Sequence, residues 1–158
     1  MAIQGDGSKV ELRGAASGLG VFAREAIAAG EVLMALAPVF VAAPARHTIQ
    51  LDAERHQAGT GEIDDVLNHC CEPNAALDVE RLCFVATRAI GAGEEITFNY
   101  LTSEEDMAEA FSCQCGASGC FGEIRGFRHL SRADQDRLAP LLTPFLRRKR
   151  AADLPSAA

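Results

Sequence analysis

The cysteine-rich stretch CQCGASGC, residues 113–120, constrains the fold of this chain more than any other feature. Three thiols this close together cannot all pair with one another in disulfides of normal geometry. Cysteines on a glycine-rich loop are suited to a tetrahedral zinc ion, which needs four ligands. The spacing therefore predicts a zinc site that uses Cys113, Cys115 and Cys120. The residues alone leave five candidates for the fourth ligand: Cys70, Cys71, Cys83, His69 and His129.

The interpretation of the six cysteines depends on the compartment in which the chain works. The N-terminal sequence MAIQGDGSKVELRG lacks the apolar core of a secretory signal, and no apolar run is long enough for a membrane span. We therefore expect an intracellular, cytoplasmic protein, with a nuclear location as the alternative in a eukaryote. In these compartments cysteines point to metal binding or catalysis before disulfides. Free buried cysteines are the alternative. That alternative fits Cys83, inside the apolar run LCFVA, better than it fits the loop.

A net charge of −7 for 158 residues excludes a chain whose whole surface binds a phosphate backbone. The length predicts one domain with its own core, and an acidic surface favours basic ligands. Two acidic clusters, within residues 62–65 and 104–109, are interpreted as solvated surface. The one basic block, residues 147–150, ends a predicted helix, where positive charge suits the helix dipole.

Two segments, residues 10–41 and 81–100, are predicted to form short strands separated by glycine turns. They share a pattern, because FAREAIAAGEV (22–32) aligns with VATRAIGAGEE (85–95). Each copy indicates a strand, a Gly-Glu turn and another strand. We interpret this as one local structure used twice, with a further short strand in HTIQLD at 47–52.

Two helical regions are predicted towards the C-terminus. Ser103 is typical of an N-cap, followed by acidic residues, which predicts a short helix over 103–111. Ser131 is predicted to cap a second helix that runs to about Arg150 and is bent or broken by two prolines, Pro140 and Pro144.

Four motifs follow one another along the chain: GLGVFA at 18–23, NHCCEPN at 68–74, GEEITFNY at 93–100, and CQCGASGC. In this order they resemble the SET-domain family of protein lysine methyltransferases with a post-SET zinc motif, from about Gly18 to Gly122. The resemblance implies a mostly β (α+β) fold, the SET-domain β-clip of several small sheets with a pseudoknot-like active site, plus a C-terminal helix. It divides the chain into a SET domain (9–102), a post-SET zinc-binding segment (103–126), a C-terminal helical extension (127–150) and a disordered tail (151–158).

The resemblance also implies a role for each of the adjacent cysteines. Cys71 falls on the family's zinc ligand, which gives a structural Zn²⁺ held by Cys71, Cys113, Cys115 and Cys120. Cys70 falls where the family has serine. We expect it to be a small packing residue that points away from the metal, since successive side chains of an extended chain face opposite sides.

S-adenosyl-L-methionine is the implied cosubstrate. It is expected along the backbone of Gly18, Leu19 and Gly20, where missing Cβ atoms allow close approach. Asn68 and His69 are expected to contact it next, His69 largely through backbone and ring hydrogen bonds, although a packing histidine and a zinc ligand are alternatives for that residue. The remaining implied contacts are Tyr100 and, at the adenine, Gln114 together with Phe111.

The implied reaction is methyl transfer from a sulfonium to a neutral lysine amine, in which alignment does most of the work. Tyr100 is the only tyrosine in the chain and falls on the family's catalytic tyrosine, which orients the amine. Phe98 falls in the substrate channel at a position that is Phe or Tyr in the family. Phenylalanine leaves room for further methyl groups, which implies di- or trimethylation.

The chain also departs from the family pattern. Asp65 and Val66 replace the usual Arg-Phe, the strand near His47 and Thr48 lacks the usual channel tyrosine, and the substrate-reading insert is very short. The alternative function is therefore a catalytically silent, zinc-stapled SET module that binds basic peptides; a redox protein using the vicinal cysteines is a third. The expected partner is a basic protein or peptide, such as a histone, that presents a lysine. Direct nucleic-acid or membrane binding is not expected.

Overall fold

The computed structural model describes residues 9–153, and short strands supply most of their regular structure. The strands are β1 Val10–Ala15, β2 Gly18–Ala23, β3 Val32–Ala35, β4 Phe40–Val41, β5 Ile49–Asp52, β6 Arg55–Gln57, β7 Asn68–His69, β8 Ala75–Asp78, β9 Cys83–Ala86, β10 Glu95–Phe98, β11 Phe111–Ser112 and β12 Glu123–Ile124. Two α-helices, α1 Arg132–Leu138 and α2 Pro144–Ala152, follow them. Single 3₁₀ turns lie at Ile63–Val66, Tyr100–Thr102, Phe127–His129 and Ala139–Leu141. The predicted mostly β fold with several small sheets is confirmed.

One four-stranded sheet, in the order β1-β2-β10-β7, brings three of the sequence motifs together. Antiparallel pairing sets Val21 of β2 opposite Ile96 of β10. On its other edge β10 pairs in parallel with β7, which sets Phe98 beside His69. The glycine motif, the Asn-His motif and the strand that leads to Tyr100 therefore become neighbours, although they are far apart in sequence. Three smaller sheets, β3-β9-β8, β4-β6-β5 and β11-β12, surround this one.

The two copies of the repeated pattern form the same structure and pair with each other. Each is a strand, a turn and a second strand, running from β2 to β3 and from β9 to β10. Ile27 of the first copy bridges Ile90 of the second in antiparallel fashion. The turn glycines adopt matching left-handed conformations, with φ 84° at Gly30 and 82° at Gly93, which favour glycine. The repeat is thus a pair of interlocked turns within one domain.

Buried apolar residues form two clusters, which we name the first core and the second core. Tyr100 packs against both of them. The first core is built on the strands: Val10, Val21, Ala23, Ile27, Leu33, Met34, Leu36, Ile49, Leu51, Leu67, Ala75, Leu77, Phe84, Ala86, Ile90, Ile96 and Phe98. The second core lies towards the C-terminus: Cys71, Leu101, Ile124, Phe127, Leu138, Leu142, Phe145 and Leu146.

The prediction of a helix over 103–111 is wrong. Only the 3₁₀ turn at Tyr100–Thr102 precedes this segment, and its cap is Asn99, whose side chain accepts from the Leu101 N–H. Beyond it, the Glu104 carboxylate accepts the Gln50 N–H at 2.8 Å, and the Glu104 carbonyl accepts the Phe127 N–H at 2.8 Å. These long-range bonds hold the segment in irregular turns and bends, so the local capping pattern is overridden.

The predicted C-terminal helix is broken at its prolines. Ser131 caps α1 as predicted, since its hydroxyl accepts from the Asp134 N–H at 3.1 Å. The 3₁₀ turn that contains Pro140 ends α1, and Pro144 opens α2, where a missing N–H costs nothing. Helix α2 continues to Ala152; of the predicted tail, residues 154–158 lie outside the described range. Within residues 9–153 no helix combines the length and apolarity needed to cross a bilayer.

Candidate active-site cleft and cysteine cluster

Four cysteines lie close together where the chain after β7 meets the loop between β11 and β12: Cys71, Cys113, Cys115 and Cys120. Their sulfur atoms all lie within 4.8 Å of one another. The Cys71 sulfur is 3.7 Å from that of Cys113 and 3.8 Å from that of Cys120. Four sulfurs around a tetrahedral zinc, with Zn–S bonds of about 2.3 Å, are separated by about 3.8 Å. The donor set and its spacing therefore fit a zinc ion.

Backbone N–H groups surround these sulfurs as they do in metal–thiolate sites. Phe121 N–H points to the Cys71 sulfur and Gly122 N–H to the Cys120 sulfur, each at 3.4 Å. Such donors stabilise negative sulfur and orient it. Burial raises the pKa of the Cys71 thiol, so a bound cation is what would hold this sulfur as a thiolate.

Of the other candidates for the fourth ligand, two are placed elsewhere, and two, Cys70 and His69, lie beside the cluster. His129 pairs with Asp106 at 2.8 Å, and Cys83 is buried within β9. Cys70, expected to point away, interacts instead with Cys115, and this contact together with burial raises the pKa of the Cys70 thiol. The adjacent cysteines do not face fully opposite ways, because the chain after His69 leaves the strand conformation in which side chains alternate.

A cleft with a volume of 390 Å³ lies beside this cluster, bounded by the turn before β2, the 3₁₀ turn at Ile63–Val66 and the segment after Tyr100. That volume suits a small-molecule site. The residues that line it are Ser17, Leu19, Ala45, Arg46, His47, Thr48, Ile49, Asp64, Asp65, Val66, Leu67, Asn68, Phe98, Tyr100, Glu104, Met107, Ala108, Glu109 and Phe111.

Tyr100 and Phe98 form an aromatic wall of this cleft. Their ring centroids are 4.8 Å apart, and Phe111 meets Tyr100 edge-on at 6.0 Å. The Tyr100 hydroxyl donates to the Leu67 carbonyl at 2.7 Å. Burial, with added repulsion from Glu104 and Glu95, raises the pKa of Tyr100 to about 12. The phenol is therefore protonated at neutral pH and fixed in direction.

Asn68 joins the glycine motif to β10. Its side-chain amide donates to the Leu19 carbonyl at 2.9 Å and to the Glu95 carboxylate at 2.8 Å. A Cβ on Gly20 would lie 2.6 Å from that carboxylate and 3.1 Å from the Asn68 amide. A side chain at position 20 would therefore displace the Glu95 carboxylate and the Asn68 amide from their present positions.

His69 lies between the cleft and the cysteines, and both of its ring nitrogens are engaged inside the protein. Nδ1 accepts the Tyr100 N–H at 3.1 Å, and Nε2 lies 3.3 Å from the Cys71 sulfur. Burial lowers the pKa of His69 to about 4, so the ring is neutral. This leaves the backbone of His69, but not its ring, for an external ligand.

The structure separates the expected cofactor residues into two groups. Leu19, Asn68 and Tyr100 line the cleft together with Phe98. Gly18 and Gln114 are exposed at the surface, Gly20 is buried behind the cleft, and His69 lies behind Tyr100 and Phe111. His47, Thr48, Asp65 and Val66, the positions at which the chain departs from the resembling family, all line the cleft.

Two carboxylates of the cleft were interpreted from sequence as solvated surface, and both are buried. Asp64 is 4% exposed and Glu104 is 7% exposed. Burial raises the pKa of Asp64, and it raises the pKa of Glu104 to about 7. Runs of acidic residues such as EIDD and SEED normally indicate solvent-facing chain, so the sequence carried no signal for either. Glu95 lies in the motif GEEITFNY, for which the sequence predicted no role at this position.

These features define a β protein with a cysteine-held loop beside an aromatic cleft, and comparison with known proteins gives the family. The family model described as the SET domain matches residues 18–101. Since this is more than half of the chain, the chain belongs to the SET-domain family.

Relatives and solved structures agree with this assignment. The chain is 39% identical over 67 residues to a histone-lysine N-methyltransferase, H3 lysine-4 specific, of Mycosarcoma maydis, which covers 38% of this chain and 5% of that protein. It is 38% identical over 87 residues to the H3 lysine-36 specific enzyme of Chaetomium globosum, covering 51% of this chain and 10% of that protein. KRYPTONITE, solved with mCHG DNA and SAH, matches with a TM-score of 0.59 and 26% identity over 72% of this chain and 28% of that one. This chain thus spans a small part of each.

Proposed function

We propose that this protein is an S-adenosylmethionine-dependent protein-lysine N-methyltransferase. The observation that carries the proposal is the convergence of Asn68, Phe98 and Tyr100 in one cleft, formed by the pairing of β2, β10 and β7. The relatives named above are histone-lysine N-methyltransferases, which supports a protein lysine as the acceptor. The extent of the SET domain (9–102), the post-SET segment (103–126) and the helical extension (127–150) belongs to this proposal.

The cosubstrate is proposed to lie along the backbone of residues 18–20 and to reach Tyr100. Asn68 supports this path, since it anchors the Leu19 carbonyl at 2.9 Å. His69 contributes its backbone, while Phe111 and Gln114 are proposed walls for the adenine. S-adenosylmethionine would supply an activated methyl group on a sulfonium, and KRYPTONITE was solved with the corresponding product, SAH.

Tyr100 is proposed as the catalytic residue that orients the lysine amine. Its hydroxyl is held by the Leu67 carbonyl at 2.7 Å, so its oxygen lone pairs are free to accept an N–H from the amine. Fixing the amine lone pair towards the methyl group turns an encounter into an aligned attack, which is the main source of acceleration in such a transfer. The aromatic wall keeps water from competing.

Phe98 is proposed to permit more than one methylation. The side chain at this position carries no hydroxyl and lies 4.8 Å from the Tyr100 ring. A hydroxyl here would hold a water molecule in the space that further methyl groups need. Phenylalanine leaves that space apolar, which favours di- and trimethyl-lysine as products.

A structural zinc is proposed at Cys71, Cys113, Cys115 and Cys120. It would tie the loop at 113–120 to the end of β7, and its binding free energy would be part of the folding energy of this region. The requirement for reduced thiolates agrees with an intracellular location. The proposed partner is a basic protein or peptide that presents lysine, drawn by the net charge of −7.

The test is methyl transfer by the purified chain from tritiated S-adenosylmethionine to histones, ribosomal proteins and lysine peptides, with Tyr100→Phe as the control. Labelled lysine in the wild-type reaction, lost in the control, supports the proposal. Tight S-adenosylmethionine binding with no transfer to any substrate would instead support the silent zinc-stapled module. This second function is retained because the chain departs from the family pattern within the cleft itself, at His47, Thr48, Asp65 and Val66.

A further inference from the structure

Glu104 is a buried carboxylate on the wall of the cleft, and the proposed methyl transfer leaves it without a role. Its oxygen Oε1 accepts the Gln50 N–H at 2.8 Å and the Ser103 hydroxyl at 3.0 Å. No ion pair among the described residues includes it, whereas its neighbour Glu105 pairs with Lys149 at 3.1 Å. The carboxylate therefore has hydrogen bonds but no counter-charge.

Such a group lowers the stability of the fold at neutral pH. The pKa of Glu104 is raised by burial from 4.5 to about 7, so the folded chain holds the proton more tightly than the unfolded chain does. Stability contributed by this group is full below pH 4.5 and is lost as the pH rises through about 7. Glutamine would accept the same two hydrogen bonds without this loss, so the bonds alone give no reason for a charge.

Glu104 lies next to the residue that is proposed to orient the amine. Its N–H donates to the Tyr100 carbonyl at 2.9 Å, its charge contributes to the raised pKa of the Tyr100 phenol, and both side chains line the cleft. The other ionisable groups that line the cleft are Arg46, His47, Asp64, Asp65 and Glu109. A lysine that reaches Tyr100 thus enters a cleft whose lining includes Glu104.

We propose that Glu104 is a further catalytic residue, which binds the ammonium of the target lysine and removes one proton from it. This rests on the proposed function, because it concerns the acceptor of the same methyl transfer. The proton passes from Nζ to the carboxylate, the N–H electron pair becomes the amine lone pair, and Glu104 becomes a neutral acid. The lone pair then forms the bond to the methyl carbon as the methyl–sulfur bond of S-adenosylmethionine breaks, and that bond's electron pair stays on sulfur in the thioether product. Glu104 afterwards releases its proton to solvent, and no oxidant or reductant is needed.

If Glu104 accepts the lysine proton, the rate of methyl transfer must depend on pH in a specific way. Glu104 must be ionised before it can accept a proton, so kcat/KM falls below about pH 7 in the wild type. Burial raises the pKa of Glu104, and the hydrogen bonds from Gln50 and Ser103 lower it in part. In Glu104→Gln this fall of kcat/KM at acidic pH should disappear, because a carboxamide takes up no proton in this range.

The experiment compares Glu104→Gln with the wild type on one lysine peptide between pH 5.5 and 9. We expect the kcat/KM of Glu104→Gln to be about 100-fold below that of the wild type at pH 7.5, the usual range for one general base. The further decrease of kcat/KM below about pH 7 should be absent from the variant. Glu105→Gln is the matched control, since its carboxylate pairs with Lys149 outside the cleft; it should leave rate and profile unchanged.

A second substrate separates proton removal from structural support. The same peptide carrying γ-thialysine presents a less basic amine, which needs less help to lose its proton. Glu104→Gln should therefore slow this substrate by a clearly smaller factor than the lysine peptide. Its melting temperature at pH 8 should equal or exceed that of the wild type, because a buried charge has been removed.

The role of Glu104 would be overturned if Glu104→Gln lowered kcat/KM by the same factor on both substrates. It would also be overturned if the variant kept the decrease of kcat/KM below about pH 7. A lower melting temperature at pH 8 with equal losses would assign it to structural support alone. Absence of transfer by the wild type on both substrates would reject the proposed function itself, and with it this one.

Discussion

The first and second cores hold the same chain together by different means. In the first core, apolar side chains of β2, β3, β8, β9 and β10 fill the interior, and Phe84 is fully buried. The second core is smaller; it includes Cys71 among its buried residues, and three further cysteines pack at its margin. Its other members come from the short strand β12, two short helices and irregular segments, which bury little surface of their own accord.

The contrast between the two cores indicates which contacts hold the cleft rigid. Tyr100 packs against both cores, so the proposed catalytic hydroxyl is fixed only when both are formed. We expect hydrophobic burial to be sufficient for the first core, and we expect the second core to need the proposed zinc. The predictions below test this contrast, beginning with the largest expected effect.

Loss of the metal should separate the two cores most clearly. Cys71→Ser, or a strong chelator, is expected to abolish zinc binding and methyl transfer, because zinc stabilises small Cys sites by about 10 kcal/mol or more. Metal analysis and hydrogen exchange should show one zinc lost and protection lost in the second core, with β2, β9 and β10 still protected. Cys83→Ala, a cysteine outside the cluster, is the control that should retain zinc. Full zinc content in Cys71→Ser would contradict the assignment.

Truncating one large aromatic in each core should sharpen the contrast. Phe84→Ala and Phe127→Ala are each expected to cost about 3–5 kcal/mol of unfolding free energy, since both side chains are buried. Only Phe127→Ala should regain stability when free zinc is raised, because the proposed zinc site lies in that core. Denaturant titrations at two zinc concentrations measure this. Equal recovery of both variants would show that the cores are one cooperative unit.

Tyr100→Phe should affect the chemistry much more than either core. The variant keeps the ring that both cores contact and loses the hydroxyl that donates to Leu67. We expect kcat to fall about 100- to 1,000-fold, as when one aligned polar group is removed from an active site, with about 1 kcal/mol or less lost in stability. Single-turnover transfer and thermal unfolding provide the two values. A variant that keeps its rate would remove Tyr100 from the mechanism.

Phe98→Tyr should change the product and leave the first methyl transfer nearly as fast. Its added hydroxyl would lie beside Tyr100, whose ring is 4.8 Å away, and would hold water in the space for further methyl groups. Mass spectrometry of an exhaustively treated peptide should change from di- and trimethyl-lysine to monomethyl-lysine. Trimethyl-lysine from the variant, or a wild type that stops at one methyl group, would show that Phe98 does not set the product.

Cys70→Ser is expected to have the smallest effect. The Cys70 thiol interacts with Cys115 but lies outside the set of four close sulfurs, so zinc content should remain at one per chain. Serine is close in size, and the loss in stability should be about 0.5 kcal/mol, as for a substitution away from special features. If zinc is lost, Cys70 shares in the metal site and the boundary of the second core must be redrawn.

The sequence predicted what depends on local pattern and motif order. The Gly-Glu turns at Gly30 and Gly93, the Ser131 cap and the cysteine loop all follow from residues that are close neighbours in the chain. The breaks at Pro140 and Pro144 follow equally from the fixed geometry of proline. Such features could be read without knowledge of the tertiary contacts.

What the sequence did not predict depends on distant partners. The segment after Ser103 has a helix-start pattern, but Gln50 and Phe127 bind its backbone and its Glu104 side chain. Asp64 and Glu104 look solvent-facing among other acids and are buried because strand β5 and its neighbours close over them. Cys70 was expected to point away on the assumption of an extended chain, and the turn after β7 removes that alternation.

The partnership of β2 with β10 has a consequence for the chain as it is being synthesised. Val21 finds its partner only at Ile96, so the β1–β2 hairpin leaves the ribosome long before the strand that covers its open edge. Until then the nascent chain carries an unpaired edge strand, a template for wrong pairing. We expect ribosome-stalled chains that end before Glu95 to recruit chaperones, and chains that extend past Tyr100 to lose that dependence as the sheet closes.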